Sequence, residues 1–334
     1  MIQFLDCTLR DGGYINNWTF GQDNTSRITT ELTDAQIDMI EIGYLKDNAY
    51  NSDQSIFSSI EDISQFIPND KKNTTYLAMI DVGRFSQENI INHKEGFIDG
   101  IRVAFYKHQI EDAMILCRKI LQSGYKLFIQ PMVTADYNEI EYHKLIDRII
   151  ELHPFAVYIV DSFGYMTKED LKYYFDILDS RLDKNCLIGF HSHNNMQLSS
   201  INAQSLFNYK TQRTLIIDSS IYGIGRAAGN ISTEEILAYY NEKIEYKYDI
   251  NKINTLNKDI IQPIYTETPW GPSPYYYLTA QYHCHPGYAK YILSENEVPE
   301  KEFEEFLKTI PTEFKTKCKK EKAIELFLEF KNKN

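Results

Sequence analysis

Residues 156–193 read AVYIVDSFGYMTKEDLKYYFDILDSRLDKNCLIGFHSH, and this stretch contains the unit from which the fold is predicted. Its two ends, 156–160 and 187–193, are short and mostly apolar, which is typical of parallel strands covered on both faces. Between them, residues 168–182 have the length and spacing of a helix, and Thr167 before Lys-Glu-Asp is typical of a helix start. The stretch therefore predicts a strand, a crossover helix and a second, parallel strand.

The same alternation extends in both directions through the first 240 residues. Eight strand–helix units favour a closed (β/α)8 barrel, or TIM barrel, over a doubly wound sheet. The glycine-rich turn LRDGGY at 9–14 does not match the dinucleotide-binding pattern GxGxxG. The predicted strands are Ile2–Cys7, Met39–Leu45, Thr75–Val82, Gly100–Phe105, Lys126–Val133, Ala156–Val160, Leu187–His193 and Thr214–Tyr222. The predicted helices are Asp23–Asp38, Gln54–Phe66, Gln87–Lys94, Gln109–Ser123, Tyr137–Leu152, Lys168–Leu182, Leu198–Tyr209 and Thr233–Tyr240.

The pattern changes after about residue 245. Residues 268–288 are rich in Pro, Gly and aromatic residues, and 299–331 have the apolar spacing of one or two helices. The basic run KTKCKKEK at 315–322 is typical of a solvated helix face. We therefore predict a barrel domain over residues 1–245 and a C-terminal helical extension over residues 246–334.

Composition limits the class of protein. Hydrophobic residues make up 43% of the 334 residues and charged residues 25%, which is enough for a large core. The formal net charge is -12, and the scattered basic residues form no face for a phosphate backbone, so we expect no nucleic-acid partner. We also expect no membrane span, because no run approaches 18 apolar residues.

The expected location is the cytoplasm. The first residues lack the pattern of a signal peptide. The five cysteines are odd in number, widely spread and without a CxxC pair, as expected for reduced thiols. The oligomeric state stays open, a homo-oligomer included.

The strongest local signal for chemistry is His191-Ser-His193 at the end of the predicted seventh strand. Residues i and i+2 of a strand point to the same face, so both imidazoles would converge at the mouth where barrel enzymes place their sites. The pair is either a metal-binding pair or two ordinary polar residues at a strand end.

A second signal is Arg10-Asp11-Gly12-Gly13 after the first strand. One strand separates the first and seventh strands of a closed barrel, so Asp11 can meet His191 and His193. Two neutral imidazoles and one carboxylate suit Mg²⁺, Mn²⁺, Fe²⁺ or Zn²⁺. Arg10 beside this carboxylate is either an ion-pair partner or a group that holds an oxyanion next to the metal.

A third, weaker signal is GIGRAAGN at 223–230, a tight glycine-rich loop after the eighth strand. Its last residue, Asn230, is either a source of an amide oxygen for the metal or the cap of the helix that begins at Thr233.

Five motifs occur in order along the chain: LDCTLRDGG, IEIG, VDSFG, HSHNN and GIGRAAGN. This set resembles the DRE-TIM metallolyase superfamily, whose HMGL-like members include 4-hydroxy-2-oxovalerate aldolase, hydroxymethylglutaryl-CoA lyase and isopropylmalate synthase. The resemblance spans about residues 2–240. It implies a TIM barrel, small-molecule substrates and a divalent metal. The favoured metals are Mn²⁺ and Mg²⁺, with Zn²⁺ or Fe²⁺ as alternatives.

The resemblance also implies roles for single residues. Asp11, His191 and His193 resemble the metal ligands of the family. Arg10 resembles an arginine that stabilises an enolate, and Ser162 occupies a position similar to one that holds the carboxylate of the substrate.

The roles of two further residues, Asn230 and Glu41, stay open. Asn230 resembles an additional metal ligand that occurs in some members only. Glu41, in IEIG, is either a group at the mouth that orients a metal-bound water or a partner of Arg10.

Among the branches, the chain resembles the 4-hydroxy-2-oxo acid aldolases most. GIGRAAGN lacks the cysteine of the hydroxymethylglutaryl-CoA lyases, and Gly13-Tyr14 differs from the acid and Gln of the isopropylmalate synthases. The aldolases have a short helical C-terminal segment over the mouth, similar in place to WGPSPYYYL at 270–278. They keep a histidine base where this chain has Tyr14, which leaves the base open.

The resemblance implies retro-aldol cleavage of a 4-hydroxy-2-oxo acid, or its reverse, with pyruvate or a related 2-oxo acid and an aldehyde as partners. Candidates for the base are Tyr14, a metal-bound hydroxide, and His283 or His285 from the C-terminal segment. The rivals are a Claisen-type acyl-CoA condensing enzyme and a barrel without catalytic function.

Overall fold

The structure, a computed structural model, describes residues 1–47 and 51–333. Its centre is a closed parallel barrel, in which β1 pairs with β9 on one side and with β2 on the other. The strands are β1 (Ile2–Asp6), β2 (Met39–Leu45), β3 (Ile56–Phe57), β4 (Thr75–Asp81), β5 (Gly100–Phe105), β6 (Lys126–Pro131), β7 (Ala156–Asp161), β8 (Leu187–Ser192) and β9 (Leu215–Ser219). The short β3 pairs only with β2, so eight strands close the barrel and the predicted (β/α)8 fold is confirmed.

Helices connect the strands on the outside of the barrel. They are α1 (Thr8–Asp11), α2 (Gly13–Asn16), α3 (Gln22–Asp34), α4 (Ile60–Ser64), α5 (Ile110–Gln122), α6 (Glu139–Ile150), α7 (Lys168–Arg181), α8 (Ser199–Leu206) and α9 (Thr233–Lys243). Most agree with the predicted helices to within a few residues. The predicted helix Gln54–Phe66 is wrong in its first half, where Ile56–Phe57 form β3 and only Ile60–Ser64 are helical. The predicted helix Gln87–Lys94 is wrong, because only the single 3-10 turn Gln87–Asn89 forms. The β-branched Ile90 and Ile91 that follow disfavour a helix.

A further set of helices follows the barrel. It comprises α10 (Ile250–Leu256), α11 (Gln262–Glu267), α12 (Pro274–Gln281), α13 (Gly287–Leu293), α14 (Glu300–Thr309), α15 (Thr312–Lys315) and α16 (Lys320–Lys333), with a π-helical turn at Asn257–Ile261 between the first two. From Cys284 onward these segments bury their own apolar cluster, in which Tyr288, Phe303 and Phe306 are fully buried. Within the described part of the chain, no helix combines the length and apolarity that crossing a bilayer requires.

The basic run at 315–322 is not the continuous helix face that its composition predicts. The backbone at residues 316–319 is non-helical, since α15 ends at Lys315 and α16 begins at Lys320. Two contacts anchor this break to α12 and the turn after it: the Lys315 Nζ donates to the Tyr282 carbonyl (3.1 Å), and the Lys315 carbonyl accepts from the His285 N–H (2.7 Å).

The interior of the barrel has an apolar layer below a charged one. Leu5, Met39, Phe128 and Tyr158 belong to a buried apolar cluster inside the strands. The Arg102 guanidinium lies over the Tyr158 ring, 4.7 Å from its centroid, and begins the charged layer. The charged layer therefore packs against the apolar layer below it.

The start of α7 provides a stability prediction. The Thr167 Oγ accepts from the Asp170 N–H (3.2 Å), and the Asp170 carboxylate accepts from the Thr167 N–H (2.9 Å), so both ends of a capping box are present. We expect Thr167→Ala to lower the free energy of unfolding by about 1 kcal/mol. Thr167→Ser, which keeps the hydroxyl, is the matched control, and equal urea midpoints for the two variants would contradict the capping role.

Candidate functional site

A cavity of about 500 Å³ opens at the carboxyl ends of the barrel strands. It is lined by Arg10 and Asp11 after β1, Asp81 at the end of β4, Ser162 after β7, and His191 in β8. TIM-barrel enzymes place their active sites at this end.

Asp11, His191 and His193 form a buried cluster at the inner end of the cavity. One ligand atom from each residue lies within 4.8 Å of the others. The two imidazole centroids are 5.3 Å apart, as expected for residues two positions apart on one strand. Asp11 ends the helical turn α1 directly after β1, and β9 alone separates β1 from β8. The structure thus brings together the three residues that the sequence singled out as metal ligands.

The orientation of the His191 imidazole is fixed by a contact between its Nδ1 and the Asp218 carboxylate. Its Nδ1 lies 3.0 Å from the Asp218 Oδ2, and Arg102 donates to the same carboxylate oxygen. A carboxylate behind a histidine is the usual second partner of a metal-bound imidazole, because it fixes the tautomer and leaves Nε2 for the metal. Burial acts to raise the pKa of Asp218, but Arg102 and His191 hold it below its ordinary value.

The protonation states of the cluster also fit a cation. Burial acts to raise the pKa of Asp11, but the Arg10 guanidinium and then His193 lower it well below its usual range. Burial lowers the pKa of His193 well below its ordinary value. The carboxylate is therefore ionised and the imidazole neutral at ordinary pH, as metal binding requires.

A second, independent observation also favours a divalent cation at this cluster. His193 Nδ1 lies 3.8 Å from the Asp11 Oδ2 and is buried without a hydrogen-bond partner among the described residues. The buried Asn230 Oδ1 also lacks a partner, although its Nδ2 donates to the Asp11 Oδ2 (2.6 Å). Leaving buried polar atoms unpaired is unfavourable, and a cation bound between them would satisfy both.

Asn230 contacts the cluster through Asp11 and does not cap the next helix. The alternative that it caps the helix at Thr233 is wrong, since the N-cap of α9 is Ser232, whose side chain accepts from the Glu235 N–H. Gly225 permits the approach of Asn230 to Asp11: a Cβ there would lie 2.3 Å from the Asn230 Nδ2 and 2.7 Å from the Asp11 Oδ2.

Arg10 is held rigidly beside the cluster. Its Nε donates to the Glu41 Oε2 (2.7 Å), and its NH1 donates to the Asp11 Oδ1 (2.5 Å). Glu41 is fully buried, pairs also with Arg102 (2.9 Å), and is not among the described residues that line the cavity. Of the two alternatives for Glu41, the structure therefore favours the ion-pair partner of Arg10.

Tyr14 lies in the cavity wall next to other aromatic residues. Its hydroxyl is 3.1 Å from that of Tyr44, and its ring packs edge-on against Trp18. The cation over the Tyr14 ring is Arg226, 5.7 Å from the centroid, and not Arg10. Burial and the nearby Asp81 carboxylate raise the pKa of Tyr14 above its ordinary value, so the hydroxyl stays protonated at neutral pH.

The two histidines of the C-terminal segment are separated by the structure. His285 lines the cavity, whereas His283 stacks on Tyr165 with ring centroids 4.3 Å apart. Burial lowers the pKa of His285 to about 3, so its ring is neutral. The His285 Nδ1 accepts from the Gly287 N–H (2.9 Å), which leaves the ring proton on Nε2 and makes that atom a donor.

Ser162 is placed on the cavity wall as expected. Its Oγ accepts from the Val133 N–H (2.8 Å), so the hydroxyl proton is available to a bound molecule. The Ser162 carbonyl accepts from the Arg226 NH2 (2.9 Å), and that same nitrogen lies 3.4 Å from the His193 Nε2.

The polar residues of this site that sequence reasoning missed include Asp81, Arg102, Asp218 and Arg226. Arg102 and Asp218 carried a signal, because each is a charged residue inside an apolar strand, GIRVAF and LIIDS. Asp81 lines the cavity, and burial raises its pKa above its ordinary value.

Comparisons with known proteins find a matching family model and curated relatives. A family model described as HMGL-like matches residues 105–260. The chain is 24% identical over 242 residues to a protein named oxaloacetate decarboxylase from Mycobacterium tuberculosis, covering 70% of this chain and 68% of that protein. It is 26% identical over 271 residues to a protein named 4-hydroxy-2-oxovalerate aldolase from Marinomonas sp., covering 78% of this chain and 76% of that protein.

The fold is similar to that of the carboxyl transferase domain of pyruvate carboxylase from Rhizobium etli. The TM-score is 0.74 at 12% identity, with 99% of this chain and 60% of that chain covered. At this identity the likeness shows the fold alone. Together, the family model and the relatives confirm the resemblance to the DRE-TIM metallolyase superfamily that the motifs predicted.

Proposed function

We propose that the protein is a divalent-metal-dependent aldolase or lyase. It cleaves or forms a carbon–carbon bond between the enolate of a 2-oxo acid such as pyruvate and an aldehyde. The observation that carries this proposal is the buried convergence of Asp11, His191 and His193 beside the fixed Arg10. Relatives named 4-hydroxy-2-oxovalerate aldolase support the reaction type.

The metal would be held by Asp11, His191 and His193, with the Asn230 amide oxygen as a further ligand. The mixed nitrogen and oxygen donors suit Mn²⁺ or Mg²⁺ and also admit Zn²⁺ or Fe²⁺. When bound, such a cation supplies Lewis-acid stabilisation of the negative charge that develops on the 2-oxo acid.

Arg10 supplies the second positive charge at the same place. Its position is set by Glu41 and Asp11, so no reorganisation is needed when the enolate oxygen becomes negative. Ser162, with a free hydroxyl proton on the cavity wall, would hold the carboxylate of the 2-oxo acid.

Three side chains of the cavity are candidates for proton transfer: Tyr14 and His285 as donors and Asp81 as the acceptor. Tyr14 and His285 both present protons to the cavity and are poor bases in this arrangement. Asp81 lines the same cavity with 16% of its side chain exposed. We therefore assign Asp81 as the group that takes the proton of the substrate hydroxyl in the cleavage direction, with Tyr14 as a hydrogen-bond donor beside it.

We also propose that residues 246–334 form a C-terminal helical extension whose later part, from α12 onward, covers the barrel mouth, whereas Ile253 and Leu256 of α10 pack into the main core. Four residues from this part of the chain line the same cavity as Arg10, which supports the assignment: Tyr276, His285, Lys290 and Lys317.

We propose a cytoplasmic location for the protein. All five cysteines are free, in agreement with this location.

The overall proposal is tested by incubating the protein with Mn²⁺, pyruvate and a panel of aldehydes, and by identifying products from their masses. A new 4-hydroxy-2-oxo acid supports it. Release of free thiol from an acyl-CoA and a 2-oxo acid would instead identify the Claisen-type rival.

The similarity to a protein named oxaloacetate decarboxylase supports a second candidate, loss of carbon dioxide from a 2-oxo acid with a β-carboxylate. This reaction forms the same enolate as aldol cleavage. Carbon dioxide release from oxaloacetate, without product from any aldehyde, would favour it.

We expect activity to be lost in chelator and restored by Mn²⁺. His191→Ala should lower both the bound metal, measured by elemental analysis, and the rate, because a ligand is removed. His283→Ala is the matched control, since this imidazole stacks on Tyr165 outside the cavity lining. Full activity after exhaustive chelation, with no metal in the sample, would contradict the proposal.

We expect Arg10→Lys to keep the metal but to lower kcat by roughly 10²-fold or more. An ammonium cannot reproduce the planar guanidinium that contacts Glu41 and Asp11 at once, and one oxyanion donor is typically worth about this factor. Metal content and kcat are measured on the same sample. Near-normal turnover would show that Arg10 serves only as an ion-pair partner.

The proton acceptor is tested by pH–rate profiles. Because burial raises the pKa of Asp81, the wild-type rate should fall on the acid side at a pH above the ordinary range of an aspartate. Asp81→Asn should remove this acid limb and most of the rate, whereas Tyr14→Phe should lower the rate and keep the limb. An unchanged acid limb in Asp81→Asn would place the base elsewhere.

A further inference from the structure

The two ends of the cavity differ in exposure. At the inner end, Arg10, Asp11 and His191 are 4%, 1% and 4% exposed. At the outer end, Lys290 on α13 and Lys317 and Lys319 between α15 and α16 are exposed to solvent. These lysines, together with the exposed lining residues Arg84 and His108, therefore lie at the end of the cavity that is open to solvent.

The charge of this mouth is opposite to that of the whole chain. The net charge of the protein is -12, yet the described residues that line the cavity include six Lys or Arg residues and only two carboxylates, Asp11 and Asp81. Asp11 belongs to the metal cluster at the inner end. An anion that enters the cavity therefore meets positive charge first.

The three lysines at the mouth are unpaired, unlike their neighbours. Among the described residues, none of Lys290, Lys317 and Lys319 has a carboxylate within 4.0 Å. On the same segment, Lys320 pairs with Glu295 at 2.7 Å. The mouth lysines are thus free to bind an anionic group.

The backbone segment that carries Lys317 and Lys319 is anchored by two hydrogen bonds. The Phe314 carbonyl accepts from the Tyr288 hydroxyl (2.9 Å), and the Lys315 carbonyl accepts from the His285 N–H (2.7 Å). Both contacts lie directly before Lys317. The lysines therefore approach the cavity from an anchored segment.

The cavity is also larger than the reacting atoms need. About 500 Å³ lies within the range of sites for drug-sized ligands, roughly 300–1,000 Å³, whereas a 2-oxo acid such as pyruvate has few atoms. Met79, Met132 and Tyr291 line part of the remaining space. The other substrate can therefore extend outward from the metal cluster to the mouth.

We propose that the aldehyde substrate carries an anionic group, a phosphate or a carboxylate, at the end away from its carbonyl, and that Lys290, Lys317 and Lys319 bind this group. The inference rests on the proposed aldolase function for the identity of the aldehyde. The anion-binding mouth itself is testable without turnover.

The first experiment measures binding by calorimetry with glycerol 3-phosphate, 4-hydroxybutyrate and uncharged glycerol. We expect one of the two anions to bind, and glycerol to bind at least ten-fold more weakly. Lys290→Gln, Lys317→Gln and Lys319→Gln should each weaken anion binding by roughly two- to five-fold, the size expected for a partly exposed ion pair. Lys320→Gln, whose lysine pairs with Glu295, is the matched control and should bind as the wild type does.

The second experiment compares kcat/KM for glyceraldehyde 3-phosphate, succinic semialdehyde and glyceraldehyde, each with pyruvate and Mn²⁺. We expect an anionic aldehyde to be preferred, and the triple lysine variant to lose roughly ten-fold or more with it while keeping its rate with glyceraldehyde. Raising the salt concentration should reduce the same preference, because the lysines are exposed.

The outcomes separate the two proposals. Anion binding that depends on the lysines, without turnover of any aldehyde, supports the anionic mouth and contradicts the aldolase function. Turnover of glyceraldehyde with no preference for either charged aldehyde, or anion binding that the lysine variants do not change, overturns the anionic mouth. Binding of acetyl-CoA but of neither small anion also overturns it, in favour of the acyl-CoA rival.

Discussion

The Arg102 guanidinium, buried completely inside the barrel, is the group on which the geometry of the site depends. On one side it pairs with Glu41, which holds Arg10; on the other it pairs with Asp218, which holds His191. The Arg102 guanidinium thus positions both Arg10 and His191. A buried charge is tolerated only when it is paired and hydrogen-bonded, so the carboxylates and Arg102 depend on each other.

The charge balance of this network bears on the metal. Two buried arginines, Arg10 and Arg102, face three buried carboxylates, Asp11, Glu41 and Asp218. The network alone carries one excess negative charge in a region of low dielectric constant, which is unfavourable. A divalent cation at Asp11 reverses this balance and also satisfies the unpaired buried atoms next to it. The same electrostatics that stabilise the ionised carboxylates therefore favour a cation at this position.

The sequence was sufficient for the barrel and for the convergence of Asp11, His191 and His193, because both follow from strand periodicity and from the order of the strands in a closed barrel. Strand runs separated by helices predict the closed sheet, and the two-residue period of a strand brings His191 and His193 to one face. The Arg102 network was not predictable in the same way, since strands β2, β5 and β9 meet only across the closed barrel interior. The cationic mouth was not predicted, because a basic run such as residues 315–322 is compatible both with a solvated helix face and with a non-helical segment between two helices. Only the contacts of Lys315 with His285 and Tyr282 decide between them.

The identity of the proton acceptor shows how a backbone contact can decide a chemical role. A histidine in a cavity is the usual candidate for a base, and His285 meets the condition of position. The Gly287 N–H removes that role, because it donates to Nδ1 and fixes the ring proton on the opposite nitrogen. Tyr14 is excluded as a base by a different cause, since burial and the Asp81 carboxylate both favour its protonated form. Asp81 has no such constraint: its nearest cation is Arg84, at 3.5 Å and largely exposed, so a proton can be taken up without breaking a buried ion pair. Where the resembling aldolases have a histidine base, we therefore propose for this chain a hydrogen-bond donor at Tyr14 and the proton acceptor Asp81 at the end of β4.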